Sequence, residues 1–209
     1  MIDKTKVSLI NKLIALGIAV LFIASFLGGF AYLVNSPQQT QNSVDPQELN
    51  FQNEAAQIGA YLEENPKDVQ AWAELGNTYY DRGAQTEDLN MFAAAIDAYR
   101  RALELDPNQN DARTDMALAY LFMGSTEKAI AELKKVLEND PNHVNAILDL
   151  GYANKVAGNL SEAVKFWEKF LEIAPQDHPK RADVEKGLEE IKKEISKTEK
   201  DTTELESGR

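Results

Sequence analysis

Pro107, Pro141 and Pro175 are spaced by 34 and 34 residues, and each closes a similar segment: ALELDP, VLENDP and FLEIAP. Pro66 closes a fourth, weaker copy, YLEENP, 41 residues before Pro107. A fixed period of this length points to one short supersecondary unit repeated along the chain, each copy burying its apolar face against the next. The longer first interval reads as a seven-residue surface insertion at Ala84 to Asn90 (AQTEDLN), between the two helices of the first unit.

Counting each unit from 31 residues before its closing proline, and allowing for the insertion, opens the units at Val69, Asn110 and Val144. The seventh column is then Leu75, Met116 and Leu150, and the eighth Gly76, Ala117 and Gly151. The twentieth is Ala95, Ala129 and Ala163, and the twenty-fourth Tyr99, Leu133 and Trp167. Small residues in columns eight and twenty let two antiparallel helices approach closely, and larger neighbours fill the space around them. Gly83, Gly124 and Gly158 fall where the first helix of each pair should end, and glycine there supplies a left-handed cap. Asp-Pro or Ala-Pro stops the second helix, because the residue before proline avoids the helical region. The reading is all-α, with helical hairpins over 69–107, 110–141 and 144–175.

Trp72, Leu75, Gly76, Tyr79, Ala95, Tyr99, Ala102 and Pro107 resemble the tetratricopeptide-repeat (TPR) consensus column by column, and the resemblance runs from Val69 to Pro175. It implies a TPR superhelical solenoid of about three helix-hairpin repeats with helical caps. Three columns depart from the pattern. Arg113 replaces the large apolar residue of column four, Asn154 the tyrosine of column eleven, and Val136 and Phe170 the small residue of column twenty-seven.

The flanks read as caps. Asp45-Pro46-Gln47-Glu48 offers an N-cap acid, a proline at the first helical position and an acid three residues on. Phe51, Ala55, Ile58 and Leu62 follow at helical spacing, which gives a capping helix within 45–68. Beyond Pro175, Val184, Leu188, Ile191 and Ile195 form one apolar stripe on a charged helix over 179–196. Residues 197–209 are expected to be a disordered tail.

The N-terminus is of another kind. Leu13 to Val34 is a charge-free run of 22 residues, roughly 33 Å as a helix against a hydrocarbon core of about 30 Å. Lys4, Lys6 and Lys12 precede it and no positive charge follows in Asn35 to Val44. The positive-inside bias then predicts a short cytoplasmic basic tail (1–12), a transmembrane helix (13–34), a flexible linker (35–44) and a repeat domain outside the cell membrane. A cleaved signal peptide is the competing reading, although its apolar core should be about 7–15 residues; both readings export the domain. The pairs Ala24/Gly28 and Ser25/Gly29 would allow two such helices to pack, but small residues are common in any membrane helix.

Beyond that run lie 19 of the 22 bases and 33 of the 34 acids, a net charge of about −14 by counting. So acidic a domain repels nucleic-acid phosphates, and no nucleic-acid partner is expected. The absence of cysteine removes disulfides, thiolate catalysis and cysteine zinc sites. No phosphate loop, nucleophile elbow or paired-histidine zinc motif is present, so neither enzymatic activity nor a cofactor nor a metal is expected. His143 and His178, the only histidines, each sit in a proline-containing turn and read as solvent-exposed loop residues.

In the TPR architecture that the resemblance implies, columns two, five, nine and twelve of each first helix face a concave groove. This selects Asn77, Tyr80, Thr114, Leu118, Leu121, Leu148, Tyr152 and Lys155, with Phe122 adjacent. Only Asn77 matches the Lys and Asn pattern with which chaperone-binding TPR domains hold a peptide carboxylate. The groove therefore reads as apolar and aromatic, suited to an amphipathic or extended peptide. The whole layout, with the NP…W…LG…Y opening at Asn65 to Tyr79, is similar to the membrane-anchored TPR proteins of cytochrome c maturation, which hold apocytochrome segments in the groove. The expected role is an extracytoplasmic scaffold or assembly factor that binds protein or peptide clients. The alternative is a structural self-assembly module whose grooves receive helices of neighbouring copies.

Overall fold

The computed structural model describes residues 46–207, with side chains as far as residue 198; the expected membrane span, its basic tail and the linker lie outside the described residues. All regular structure among the described residues is helical. In chain order the helices are α1 (Pro46–Glu64), α2 (Val69–Thr86), α3 (Leu89–Leu105), α4 (Asn110–Phe122), α5 (Thr126–Asn139), α6 (Val144–Val156), α7 (Leu160–Ile173) and α8 (Arg181–Ser207). None of them is long and apolar enough to cross a membrane.

Three hairpins, α2/α3, α4/α5 and α6/α7, match the three units of the sequence. Each second helix also packs on the first helix of the next hairpin, α3 on α4 and α5 on α6, and α7 packs on α8. The first helices touch one another, α2 with α4 and α4 with α6, whereas the second helices do not reach each other among the described residues. The first helices thus line the inner side of the stack and the second helices its outer side.

The ends of the helices follow local chemistry. Asp68 caps α2 by accepting the Ala71 N–H at 3.0 Å, and Asp88 caps α3 from the Asn90 N–H at 2.9 Å. His143 does the same for α6: its Nδ1 accepts the Ala146 N–H at 3.2 Å, and its Nε2 faces Asp111 at 3.1 Å. That network assigns the proton to Nε2. His178 Nδ1 accepts the Lys180 N–H at 3.2 Å, and its ring stands edge-on to Phe170. Both histidines are therefore turn-forming and half-buried rather than free loop residues. Gly124 and Gly158, at φ 70° and 76°, close α4 and α6 in the left-handed region as expected.

The first hairpin differs from its sequence reading. The seven extra residues make no surface loop. Helix α2 is 18 residues long against 13 for α4 and α6, and α3 is 17 against 14 for α5 and α7. The insertion is absorbed as longer arms on one hairpin. Gly83 consequently lies inside α2 and caps nothing; Glu87 takes the left-handed turn instead, at φ 57°. Gly83 is small for a packing reason, since a Cβ there would stand 3.2 Å from both Met91 and Phe92 of α3.

A second difference lies at the C-terminus. Residues from 197 were expected to be a disordered tail, yet α8 continues to Ser207. No glycine or proline interrupts the sequence between Pro179 and Gly208 except Gly187, so nothing local stops the helix. Val184, Leu188 and Ile191 bury its first turns against α7 as the apolar stripe predicts.

The column pairs explain the packing. Gly76 and Gly151 make room for aromatic rings rather than for alanine: a Cβ would lie 2.5 Å from Tyr99 Cε1 and 2.0 Å from Trp167 Cδ1 respectively. In the middle repeat the ring is replaced by Leu133, and the eighth column is Ala117. Arg113, out of pattern in column four, is accommodated by ion pairing with Glu132 at 2.7 Å and by donating to the Pro107 carbonyl at 2.9 Å. Asn154 is buried and donates to the Leu150 carbonyl at 2.8 Å.

Candidate functional site

The inner surface formed by α2, α4 and α6 is the candidate site, and it treats the nine expected groove residues differently. Thr114 and Leu148 are buried, at 3% and 6% exposure, and are corrected out of the groove. Thr114 Oγ1 donates to the Asn110 carbonyl, and Leu148 belongs to the core between α6, α7 and α8. Column five faces the neighbouring hairpin here, not the open side. Leu118 and Leu121 are half-buried, and Leu121 leans on the core between α5 and α6.

Tyr80 and Phe122 are brought together. Their rings meet edge-on at 5.9 Å, and both meet Phe92 of α3, Phe122 stacking on it at 4.8 Å. Phe122 still leaves half of its surface to solvent. Tyr152 stands edge-on to Trp167 at 5.0 Å, and the Lys155 ammonium lies over the same indole at 5.6 Å. Asn77 accepts the Tyr99 hydroxyl at 2.7 Å, which fixes its amide, and it lines a cleft between α1 and α2 with Glu54, Glu74, Asp81 and Arg82.

The face also carries a row of acids that the reading by repeat columns did not name. Asp81, Asp115, Asp149 and Asp183 follow one another at intervals of 34 residues, the same interval as the prolines. They form an electrostatic row. Asp115 on α4 feels Asp111, Asp81 and, with opposite sign, His143; Asp149 on α6 feels Asp115 and, with opposite sign, Lys180. Burial, with these acids, pushes Asp115 up to about 6 and Asp149 up to about 7. Tyr80 is pushed up to about 12 by burial and by Asp149, Asp115 and Asp81. Tyr152 is raised by burial and by Asp183 and Asp149. Sequence reasoning missed this row because Asp81 occupies a different column of its repeat, two turns further along its helix than Asp115 and Asp149. The plain 34-residue interval would have found it.

Three stacked hairpins with small-to-large column packing and a face lined by first helices define a tetratricopeptide-repeat protein. The chain belongs to the family described as the cytochrome c-type biogenesis protein H TPR domain, whose model matches residues 36–181. A comparison with curated proteins finds no match. Among solved structures it is similar to the first TPR of Spaghetti (RPAP3) bound to the HSP90 peptide SRMEEVD. That match has 23% identity and a TM-score of 0.54, covering 61% of this chain and 93% of that one. It is also similar to MamA, at 19% identity and a TM-score of 0.55, covering 75% and 98%. A third similar structure is a thermophilic TPR protein of Thermus thermophilus, at 21% identity and a TM-score of 0.56, covering 66% and 70%. At these identities the three structures show the fold alone.

Proposed function

We propose that this chain is an assembly factor of cytochrome c biogenesis, which holds a segment of haem-free cytochrome c along the face of α2, α4 and α6. The observation that carries the reading is the family match over residues 36–181, joined to an inner face on which Phe122 is exposed and Tyr80 and Tyr152 are half-buried. Phe122, Tyr80, Tyr152 and Leu118 supply rigid apolar contact area for such a segment. The Spaghetti structure holds an HSP90 peptide. Its use of a TPR array to hold a peptide supports the mode of binding, while the acidic peptide itself would be repelled by Asp81 and Asp115. Binding and positioning, not catalysis, is the role this architecture serves.

Titration of haem-free cytochrome c against the full chain in mild detergent tests the reading. Leu118→Asp and Tyr152→Ala should each weaken binding at least tenfold, about 1.4 kcal/mol, with helix content unchanged. Normal binding by both folded variants would move recognition away from this face.

The reading includes an anchor. The charge-free run of residues 13–34, with Lys4, Lys6 and Lys12 before it, supports a single membrane span with the N-terminus cytoplasmic and the repeats outside. Protease added to intact spheroplasts should digest the repeats; complete protection would put the domain on the cytoplasmic side.

A further inference from the structure

Asp149 is the anomaly on the inner face. It lies in the middle of α6 at 7% exposure, and no donor among the described residues reaches its carboxylate. Buried carboxylates are normally hydrogen-bonded or paired, since leaving one bare costs the full desolvation of the group. The cation that acts on it, Lys180, is an exposed residue in the link between α7 and α8 and forms no ion pair with it. Its acidic neighbour is Asp115 on α4, which likewise accepts no hydrogen bond among the described residues.

Two half-buried arginines among the described residues are paired inside the chain. Arg113 is matched by Glu132, and Arg82 by Glu48. The Asp115 and Asp149 pair has no ion-pair partner among the described residues, and it sits on the face already assigned to the bound segment. The row continues on both sides, with exposed Asp81 towards α2 and exposed Asp183 on α8. Seven residues beyond Asp115 and Asp149, two turns along the same helical faces, stand Phe122 and Val156, both exposed. The inner surface therefore offers an acidic row and, roughly 10 Å along the helix axes, an apolar row.

We propose that Asp115 and Asp149 form a cation slot that receives a lysine or arginine side chain of the bound segment. The occupant is an amphipathic helix with a basic stripe for the aspartate row and an apolar stripe for Phe122 and Val156. This rests on the reading of the inner face as a peptide groove and adds the chemistry that selects the peptide. A guanidinium or ammonium entering the slot supplies the donors that the two carboxylates lack and offsets their mutual repulsion. Binding is then linked to pH. The groups that face the slot are Asp81 and Tyr80 from α2, Asp111 from α4, and His143 from the turn before α6. Tyr152 on α6, Lys180 in the link before α8 and Asp183 on α8 complete the set. Burial holds the proton on Asp149 to about 7 and on Asp115 to about 6, so acidification to pH 5 closes the slot to cations.

The test uses the full chain in mild detergent and three labelled helical peptides of leucine and alanine that differ only in their polar stripe: lysine, glutamine or glutamate. The lysine peptide should bind, the glutamine peptide at least tenfold more weakly, and the glutamate peptide not at all. Asp149→Asn and Asp115→Asn should each cost the lysine peptide at least tenfold and leave the glutamine peptide unchanged. The paired change Glu189→Gln with Glu190→Gln removes two exposed charges from α8 outside the row, and should have little effect. Moving from pH 8 to pH 5 should weaken lysine-peptide binding to the parent chain, and should leave the double variant Asp115→Asn with Asp149→Asn nearly flat. Equal binding of the lysine and glutamine peptides, with loss on Tyr152→Ala, would leave a peptide groove and overturn the cation slot. An equal loss from the α8 pair would reduce the effect to net charge and overturn it too. Failure of all three peptides would overturn the slot, with haem-free cytochrome c binding left to decide the groove by itself.

Discussion

Gly151→Ala is expected to destabilise the chain, although glycine to alanine inside a helix normally stabilises by about 1 kcal/mol. The new methyl would stand 2.0 Å from Trp167 Cδ1 and 2.1 Å from Nε1, and the indole has nowhere to go. Its far edge is held by Gly187 of α8, where a Cβ would lie 2.7 Å from Cζ3, and its Nε1 donates to the Leu148 carbonyl at 3.2 Å. Overpacking should exceed the helix gain and leave a net loss of about 2 kcal/mol. Trp167→Leu alone should cost roughly 2–4 kcal/mol by leaving a cavity between α6 and α8. The double variant, however, rebuilds the Ala117 and Leu133 pair that the middle repeat already uses. Its loss should fall short of the sum of the single losses by at least about 1 kcal/mol, the coupling expected of residues in contact. Denaturant titrations of the four chains measure this cycle. Strict additivity would show that the small residue and the ring are not a packed pair.

That pair illustrates what the sequence discloses and what it withholds. The period, the hairpin order and the columns of large and small residues are written in the spacing of Pro107, Pro141 and Pro175, because each repeat must meet its neighbour through the same contacts. What each small residue makes room for is not written there; Gly76 and Gly151 admit rings because Tyr99 and Trp167 happen to occupy the facing column. The fate of the insertion was illegible for a similar reason. Seven residues without proline can form a loop or lengthen two helices, and the latter wins when the extended arms, with Gly83 against Phe92, keep packing. The groove was half legible. Tyr80 and Tyr152 follow from helical columns, with Phe122 adjacent to them, but Thr114 and Leu148 are covered because adjacent hairpins close over column five. Periodicity gives a direction on each helix and not the tilt between helices. The acidic row was visible as four aspartates at the plain repeat interval, but the repeat columns hid it, because Asp81 falls seven positions away from the column of Asp115 and Asp149.

Asp149→Asn is expected to stabilise the chain at pH 8 and to leave it unchanged near pH 4. The sign follows from proton binding. Burial, with Asp115 beside it and only partial relief from Lys180, raises Asp149 to about 7 in the folded chain, against 3.8 when it is exposed. Between those values the folded state keeps a proton that the unfolded state has lost, so stability falls as pH rises from about 4 to about 7 and is level above. The full span corresponds to an upper bound of about 4 kcal/mol, and relaxation and water entry bring the expected loss to roughly 2 kcal/mol. Asparagine carries no charge at any of these pH values, so it removes the loss while keeping the shape. Near pH 4 the parent residue is itself neutral and equally without a donor, and the two chains should melt together. At pH 8 the variant should melt higher by roughly 4–8 °C. Asp115→Asn should show the same sign over a lower window, because Asp115 is raised only to about 6. The two effects should not add, since removing either charge relieves the other. A variant that melts lower than the parent at pH 8 would mean that Asp149 is held ionised by a partner in the folded chain, and the slot would then be filled from within.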